Sequence, residues 1–165
     1  MRVVVVSDTH MPGRAKALPR RLLADLEGAD MILHAGDFAT ADVLEMLARL
    51  APVKAVYGNV DEPELRRVLP RRTKVDVQGK TVGLVHGDSP SLPTVQRAQA
   101  EFVDETVAGI VFGHSHRPLL RREDGVLLFN PGSPTDRRSE RRFSYGRLWV
   151  DRDGELQAEH VWIEP

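Results

Sequence analysis

The sequence predicts an α/β protein built as a four-layer α-β-β-α sandwich, two mixed β-sheets flanked by helices. Three observations lead there. The first sixty residues alternate short apolar or β-branched runs with segments of helical periodicity, the pattern of parallel strands joined by right-handed crossovers. The second half carries paired strand-like runs around turn dipeptides, which brings in antiparallel pairing. A length of 165 residues suits one domain spanning 1–165, in which two sheets pack face to face and about four helices cover their outer faces.

Each element has its own signal. Residues 2–6, with Val3 to Val6 in succession, read as a strand buried on both faces. Over 15–27, Leu18, Leu22, Leu23 and Leu26 recur at helical spacing and Gly28 supplies the stop. Residues 30–34 form a second strand. A helix follows over 40–50, with Thr40 as N-cap, Val43, Leu44, Leu47 and Leu50 as its stripe, and Pro52 ending it. Residues 53–57 are the third strand.

Beyond it, 71–77 and 80–85 flank Gln78-Gly79 as a hairpin, 94–107 reads as a helix and 110–112 as a strand. Residues 119–122 and 126–130 form a hairpin around Glu123-Asp124-Gly125, and 145–150 with 156–163 form another, whose turn holds Asp153-Gly154. Residues 133–143, rich in Arg, Ser and Asp, are expected to be an exposed surface loop.

Composition excludes several kinds of chemistry. With 23 Lys and Arg against 24 Asp and Glu, the overall field gives no reason to expect a DNA or anionic-membrane partner. The absence of cysteine removes disulfides, thiolate zinc, iron–sulfur clusters and cysteine nucleophiles. The apolar run at 3–6 is too short for a signal peptide or a membrane span, so a cytoplasmic protein without a membrane partner is expected.

What remains is oxygen and imidazole, and both concentrate at strand ends. Asp8-Thr9-His10 follows the first strand, Gly36-Asp37 the second and Gly58-Asn59 the third; His86-Gly87 and Gly113-His114-Ser115-His116 follow two later strands. In an extended segment, side chains two apart point the same way, so Asp8 and His10 are expected to converge, and His114 and His116 to repeat that geometry. Ligands of open α/β sheets sit at such ends.

Seven polar groups brought together there would be costly to desolvate without a metal. One ion would leave two or three of the seven idle, whereas two ions sharing one carboxylate give each about four ligands and room for water and substrate. Asp37, central in the set, is the natural bridge. One partition puts Asp8, His10, Asp37 and His116 on one ion and Asp37, Asn59, His86 and His114 on the other, although spacing alone does not dictate it.

In order, these motifs resemble those of the calcineurin-like metallophosphoesterases, and Asn130-Pro131-Gly132-Ser133 is similar to a segment of that superfamily's small prokaryotic phosphodiesterase branch. The resemblance spans residues 3–133. It implies the four-layer sandwich, a dinuclear site bridged by Asp37, the partition above, and phosphodiester hydrolysis by a water or hydroxide held between two divalent ions, commonly Mn2+. The donor set also suits Ni2+, Fe2+, Co2+ or Zn2+. Asn59 is expected to add a catalytic role, its NH2 donating to a phosphoryl oxygen. One departure stands out: Val60 occupies the place where many members carry a histidine, so no side chain there can protonate the leaving group. Activated phosphodiesters are therefore expected to react best.

The implied partner is a small phosphate ester. Nucleic acid as substrate and a homo-oligomer both stay open. A phosphomonoesterase or nuclease using the same ions is the alternative within enzymes; a non-catalytic scaffold resembling the retromer subunit is the alternative outside them. Other polar residues have simpler readings. Asp8 taken singly is as well a turn cap. His34 reads as a hydrogen-bonded structural histidine and His160 as surface. Asp61 and Asp88 read equally as acceptors orienting Asn59 or His86 and as turn caps. Arg137, Arg138, Arg141 and Arg142 form a basic loop that reads first as a solvated face with Asp136 and Glu140 and second as a surface that meets a phosphate-bearing substrate or nucleic acid.

Overall fold

The computed structural model describes Met1–Pro165. In chain order its elements are β1 (Val3–Val6), α1 (Arg20–Glu27), β2 (Met31–His34), α2 (Ala41–Ala48), β3 (Val53–Ala55), α3 (Pro63–Val68), β4 (Arg72–Val77) and β5 (Lys80–Val85). There follow α4 (Thr94–Ala100), β6 (Gly109–Val111), β7 (Leu119–Glu123), β8 (Val126–Asn130), β9 (Phe143–Val150) and β10 (Leu156–Ile163).

Alternation along the strands sorts the apolar side chains into three clusters, and these set the layers. Val4 and Val6 of β1 face α1 and α2, packing with Leu22, Leu26 and Leu47. Val3 and Val5 point the other way, into a cluster between the sheets with Val82, Leu84, Leu127 and Phe129. In the second sheet Leu128, Ile110 and Val85 face outward and are covered by Ala98 of α4 and by Phe102. Helices, sheet, sheet and helix therefore stack as the expected sandwich of two mixed five-stranded sheets, ordered β10-β9-β1-β2-β3 and β4-β5-β6-β8-β7.

Pairings within each sheet are mixed. β1, β2 and β3 run parallel, as do β5, β6 and β8, while β4, β7, β9 and β10 pair antiparallel. β9 and β10 do not join the second sheet with the other late strands. They return to the first, β9 pairing with β1 through Val4 and Arg147. Asp25 of α1 fastens that return, accepting from the Tyr145 hydroxyl at 2.6 Å and from Arg147 Nε at 2.9 Å.

Several boundaries differ from expectation. α1 starts at Arg20, five residues later than the apolar spacing suggested, because Pro19 precedes it and biases Leu18 away from helical backbone. α4 ends at Ala100 and not near 107: Phe102 N–H bonds to the carbonyl of Gln99 and Glu105 N–H to that of Phe102, three-residue steps that close the helix into turns. α3, opened by Pro63 at its first turn, was not anticipated; six residues are too few to display a period. Thr40 does take the N-cap position of α2, but its hydroxyl donates to the Met11 carbonyl instead of capping the helix. No helix is long and apolar enough to cross a membrane.

Candidate metal centre

The loops that follow β1, β2, β3, β5 and β6 meet at one end of the sandwich, and they bring all seven expected residues together. The backbone at this end is unusual. Asp8, His10, Asp37, His114 and His116 all have positive φ, between 44° and 65°, a left-handed conformation that is uncommon outside glycine and concentrates at functional sites. Asp8 and His10 therefore do not converge by extended-strand alternation, as the spacing suggested. His114 and His116 do not repeat their geometry either: the twisted backbone sends the two imidazoles into separate clusters.

One cluster joins Asp8, His10 and His116, the other Asp37, His86 and His114, the ligand atoms of each lying within 4.8 Å of one another. Asp37 links them, since its Oδ2 is 3.6 Å from His10 Nε2 and 3.2 Å from His86 Nε2. Asn59 belongs to the second cluster, its Oδ1 standing 3.1 Å from both His86 Nε2 and His114 Nδ1. The side chains of each four-residue group therefore lie close together.

Carbonyl oxygens orient two of the imidazoles. His86 Nδ1 donates to the Ala35 carbonyl at 2.8 Å and His116 Nδ1 to that of Asp136, which turns Nε2 of each ring into the site. Asp8 Oδ2 accepts from the Ser7 hydroxyl at 2.6 Å and from His114 N–H at 3.1 Å. Asp8 Oδ1 is buried with no hydrogen-bond donor, and no Arg or Lys pairs with either carboxylate. An orphaned carboxylate oxygen beside converging imidazole nitrogens is the donor set of a divalent cation, so these residues fit one.

The electrostatics agree. Burial raises the Asp8 carboxyl, but His10, His86, His116 and the Ser7 hydroxyl outweigh it and hold its pKa at about 2. Asp37 is likewise held below the usual carboxylate range, burial being overcome by His86 and the Val60 N–H. Burial works against the His86 imidazolium, yet Asp37 and Asp8 push its pKa up to about 9. A proton there stands where a cation would go, so metal entry has to displace it. Burial lowers both His114 and His116.

A family model described as the calcineurin-like phosphoesterase superfamily domain matches residues 1–153. The chain belongs to that superfamily. A probable metallophosphoesterase of Methanothermobacter thermautotrophicus is 35% identical over 135 residues, 82% of this chain and 78% of that protein. A phosphodiesterase of Methanocaldococcus jannaschii is 25% identical over 146 residues, 80% of this chain and 83% of its own. Among solved structures, Vacuolar Protein Sorting 29 of Cryptosporidium parvum superposes with a TM-score of 0.74 at 23% identity, covering 99% of this chain and 98% of that one. That last likeness is one of fold.

As a calcineurin-like phosphoesterase the chain is a hydrolase of phosphate esters, and its site has a supporting layer that motif reading largely missed. Residues 133–143 are not simply an exposed loop. Ser133, Pro134 and Thr135 are buried; Ser133 Oγ donates to the Asp8 carbonyl at 2.7 Å and Thr135 Oγ1 to the Thr9 carbonyl at 2.6 Å. Asn130 Nδ2 holds the Gly113 carbonyl at 2.9 Å. The similarity of Asn130-Pro131-Gly132-Ser133 to a segment of the small phosphodiesterase branch was the available signal, and it did not say that the segment binds the first loop.

Asp61 caps backbone: its carboxylate accepts from the N–H groups of Asp37, Ala39 and Gly58 at 2.7–3.0 Å. Neither Asp61 nor Asp88 takes a proton from His86, which is satisfied by Ala35. His34 is wholly buried, accepts from Gly36 N–H, bonds to Thr9 and has its pKa pushed down to about 3 by burial, a neutral structural histidine. His160 is not a surface residue; it is half-buried and its Nε2 donates to the Asn130 carbonyl at 2.8 Å, behind the site.

Proposed function

We propose that this phosphoesterase is a phosphodiesterase working with two divalent cations, Mn2+ being the expected pair. The observation that carries the reading is the single oxygen, Asp37 Oδ2, shared between two clusters of imidazole and carboxylate donors. When bound, such a pair supplies positive charge to the phosphoryl oxygens and lowers the pKa of a water toward neutrality.

The chain's own residues do the rest. Asp8, His10 and His116 would hold one ion and His86, His114 and Asn59 the other, with Asp37 shared between them. Asn59 has its Oδ1 turned toward His86 and His114, which leaves its NH2 free to donate to a phosphoryl oxygen of the substrate. Val60, 47% exposed beside it, offers no proton to a departing alkoxide, so esters with acidic leaving groups are favoured. A non-catalytic scaffold gains support only from shared fold, and the donor set argues against it, since none of its seven members is missing.

Chelator-stripped protein tests the reading. On adding Mn2+ it is expected to recover hydrolysis of bis(p-nitrophenyl) phosphate, with a higher kcat/KM than for p-nitrophenyl phosphate. No recovery with Mn2+, Ni2+, Fe2+, Co2+ or Zn2+ would refute metal-dependent catalysis. A preference for the monoester would replace it with a phosphomonoesterase.

A further inference from the structure

Beside His114 the surface opens into a groove of about 330 Å3 whose walls carry four guanidinium groups, Arg97 of α4, Arg117 after β6, and Arg137 and Arg138 of the loop before β9. We infer that this groove binds a second phosphoryl group of the substrate, making the substrate a small phosphodiester that carries another phosphate. The inference rests on the phosphodiesterase reading above and adds the substrate class to it.

Charge is the first argument. None of the four guanidiniums lies within 4.0 Å of a carboxylate, although Arg14, Arg71, Arg72 and Arg147 elsewhere are ion-paired. The only acid on the groove wall is Glu140. Asp136, expected to neutralise this loop, is turned to Arg14 at 3.2 Å instead. Four like charges gathered on a concave wall repel one another and attract a polyanion. The basic loop is thus divided: Arg137 and Arg138 face the groove, while Arg142 stacks on Trp162 and pairs with Glu164.

Preorganisation is the second argument. Arg97 Nη1 is pinned to the Gly87 carbonyl at 3.2 Å and Arg137 Nη1 to the Glu140 carbonyl at 2.6 Å, so both forks are oriented before any ligand arrives. Arg97 Nε is buried without an acceptor. Arg138 holds a positive φ of 47° and, like Arg117, is exposed. Two oriented and two exposed guanidiniums line the groove with the charged N–H donors that phosphate takes best. His114 and Ser115 line the groove and also belong to the loop of the metal cluster, so an anion seated there adjoins the reacting phosphodiester. Proline apart, the wall has no apolar side chain, which disfavours a hydrophobic substituent in that place.

Calorimetry on the Mn2+-loaded protein tests the groove with thymidine 3′,5′-bisphosphate against thymidine 5′-phosphate. The bisphosphate is expected to bind about tenfold tighter or more, and the ratio is expected to fall near one in the Arg117→Ala/Arg138→Ala protein and to recover in part with lysines. The same ratio for propane-1,3-diyl bisphosphate against propyl phosphate tells whether phosphate alone is recognised or a nucleoside is needed between. For turnover, the p-nitrophenyl ester of thymidine 5′-phosphate is expected to show a KM about tenfold lower when it carries a 3′-phosphate. Equal affinities with both pairs, or a ratio unmoved by the double substitution, would overturn the inference. Failure to hydrolyse either nitrophenyl ester would overturn the phosphodiesterase reading and leave the binding ratios to decide the groove.

Discussion

His10 and His116, 106 positions apart in the chain, face each other Nε2 to Nε2 at 3.1 Å. His116 Nδ1 spends its proton on the Asp136 carbonyl, so in the neutral ring its Nε2 is a lone pair. That lone pair, His10 Nε2 and the donorless Asp8 Oδ1, 3.4 Å from His116 Nε2, converge with no Lys or Arg among them. A cation is the partner they lack. Divalent metal is therefore expected to stabilise the fold: at a hundredfold excess over Kd it contributes about 2.7 kcal/mol, and a melting shift of about 5–10 °C in a chain of this size. Thermal melting with and without Mn2+ measures it. His116→Ala should remove the part of the shift due to the Asp8 cluster and leave that of the Asp37 cluster; an undiminished shift in that protein means that no ion sits beside His116.

The shared oxygen of Asp37 leads to a second prediction. Asp37→Asn replaces a carboxylate that spans two clusters by an amide that cannot bridge as an anion. Metal content is expected to fall from two ions per chain toward one or none, and hydrolysis of bis(p-nitrophenyl) phosphate to fall by about a hundredfold or more. Elemental analysis alongside the rate distinguishes this from His34→Gln, which is not expected to change the number of ions held, because His34 faces Thr9 and Gly36.

Gly58 offers a sharper probe of the same carboxylate. A Cβ placed on it would overlap Asp37 Oδ1 and stand 2.6 Å from Asp37 N, so the bridging carboxylate and its own backbone both have to move. Gly58→Ala is expected to cost about 1–3 kcal/mol from overpacking and to lower kcat/KM more than a melting change of that size accounts for. Activity close to wild type in a destabilised protein would show that Asp37 accommodates the methyl group without leaving its place.

How much of this was legible beforehand depends on the range of the interaction. The strand-end positions of Asp8, Asp37, Asn59, His86 and His114 could be read because each follows a local apolar run, and the sorting of Val3 to Val6 onto two buried faces follows from strand alternation. The return of β9 to β1 could not, since it pairs Val4 with Arg147 across almost the whole chain, and no local pattern says which sheet a late strand will join. Backbone geometry was equally hidden. Left-handed residues at Asp8, His10, His114 and His116 are held by tertiary hydrogen bonds, Ser133 to the Asp8 carbonyl among them, and such bonds leave no periodic trace. Composition misled at 133–143, where charged residues at 136–142 masked the buried Ser133 and Thr135.

Ser133 can be tested directly. Its hydroxyl donates to the Asp8 carbonyl and accepts from Asp136 N–H at 2.8 Å, tying the loop that carries the His116 acceptor to the loop that carries two candidate ligands. Ser133→Ala leaves that buried carbonyl short of a donor, for an expected loss of about 1–3 kcal/mol, and displaces residues that orient ligands, for a fall of about 10–100-fold in metal affinity or rate. Metal titration of the variant checks the second figure. An unchanged affinity would confine Ser133 to a structural role.

Asp25 supplies the pH dependence. It lies far in sequence from the strands it binds, accepting from the Tyr145 hydroxyl and from Arg147 Nε and Nη2 at 2.6–2.9 Å. Burial raises its carboxyl, but those bonds and the Arg147 and Arg2 charges prevail and its pKa lies below the ordinary 3.8. A carboxyl depressed on folding contributes stability that is complete above the unfolded value and is lost as pH falls through the folded one. Asp25→Asn is therefore expected to lower Tm at pH 7 by about 2–8 °C, the equivalent of about 1–2 kcal/mol. The gap to wild type should narrow only below pH 3.8 and close as the wild-type carboxylate protonates. The Tyr145 hydroxyl, pushed up to about 12 by burial and by Asp25, stays a donor throughout the neutral range, so no matching change is expected between pH 7 and 9. Melting curves of both proteins from pH 3 to 9 decide it: a gap that persists unchanged at pH 3 would mean that packing around α1, and not the ionised carboxylate, holds β9 in the first sheet.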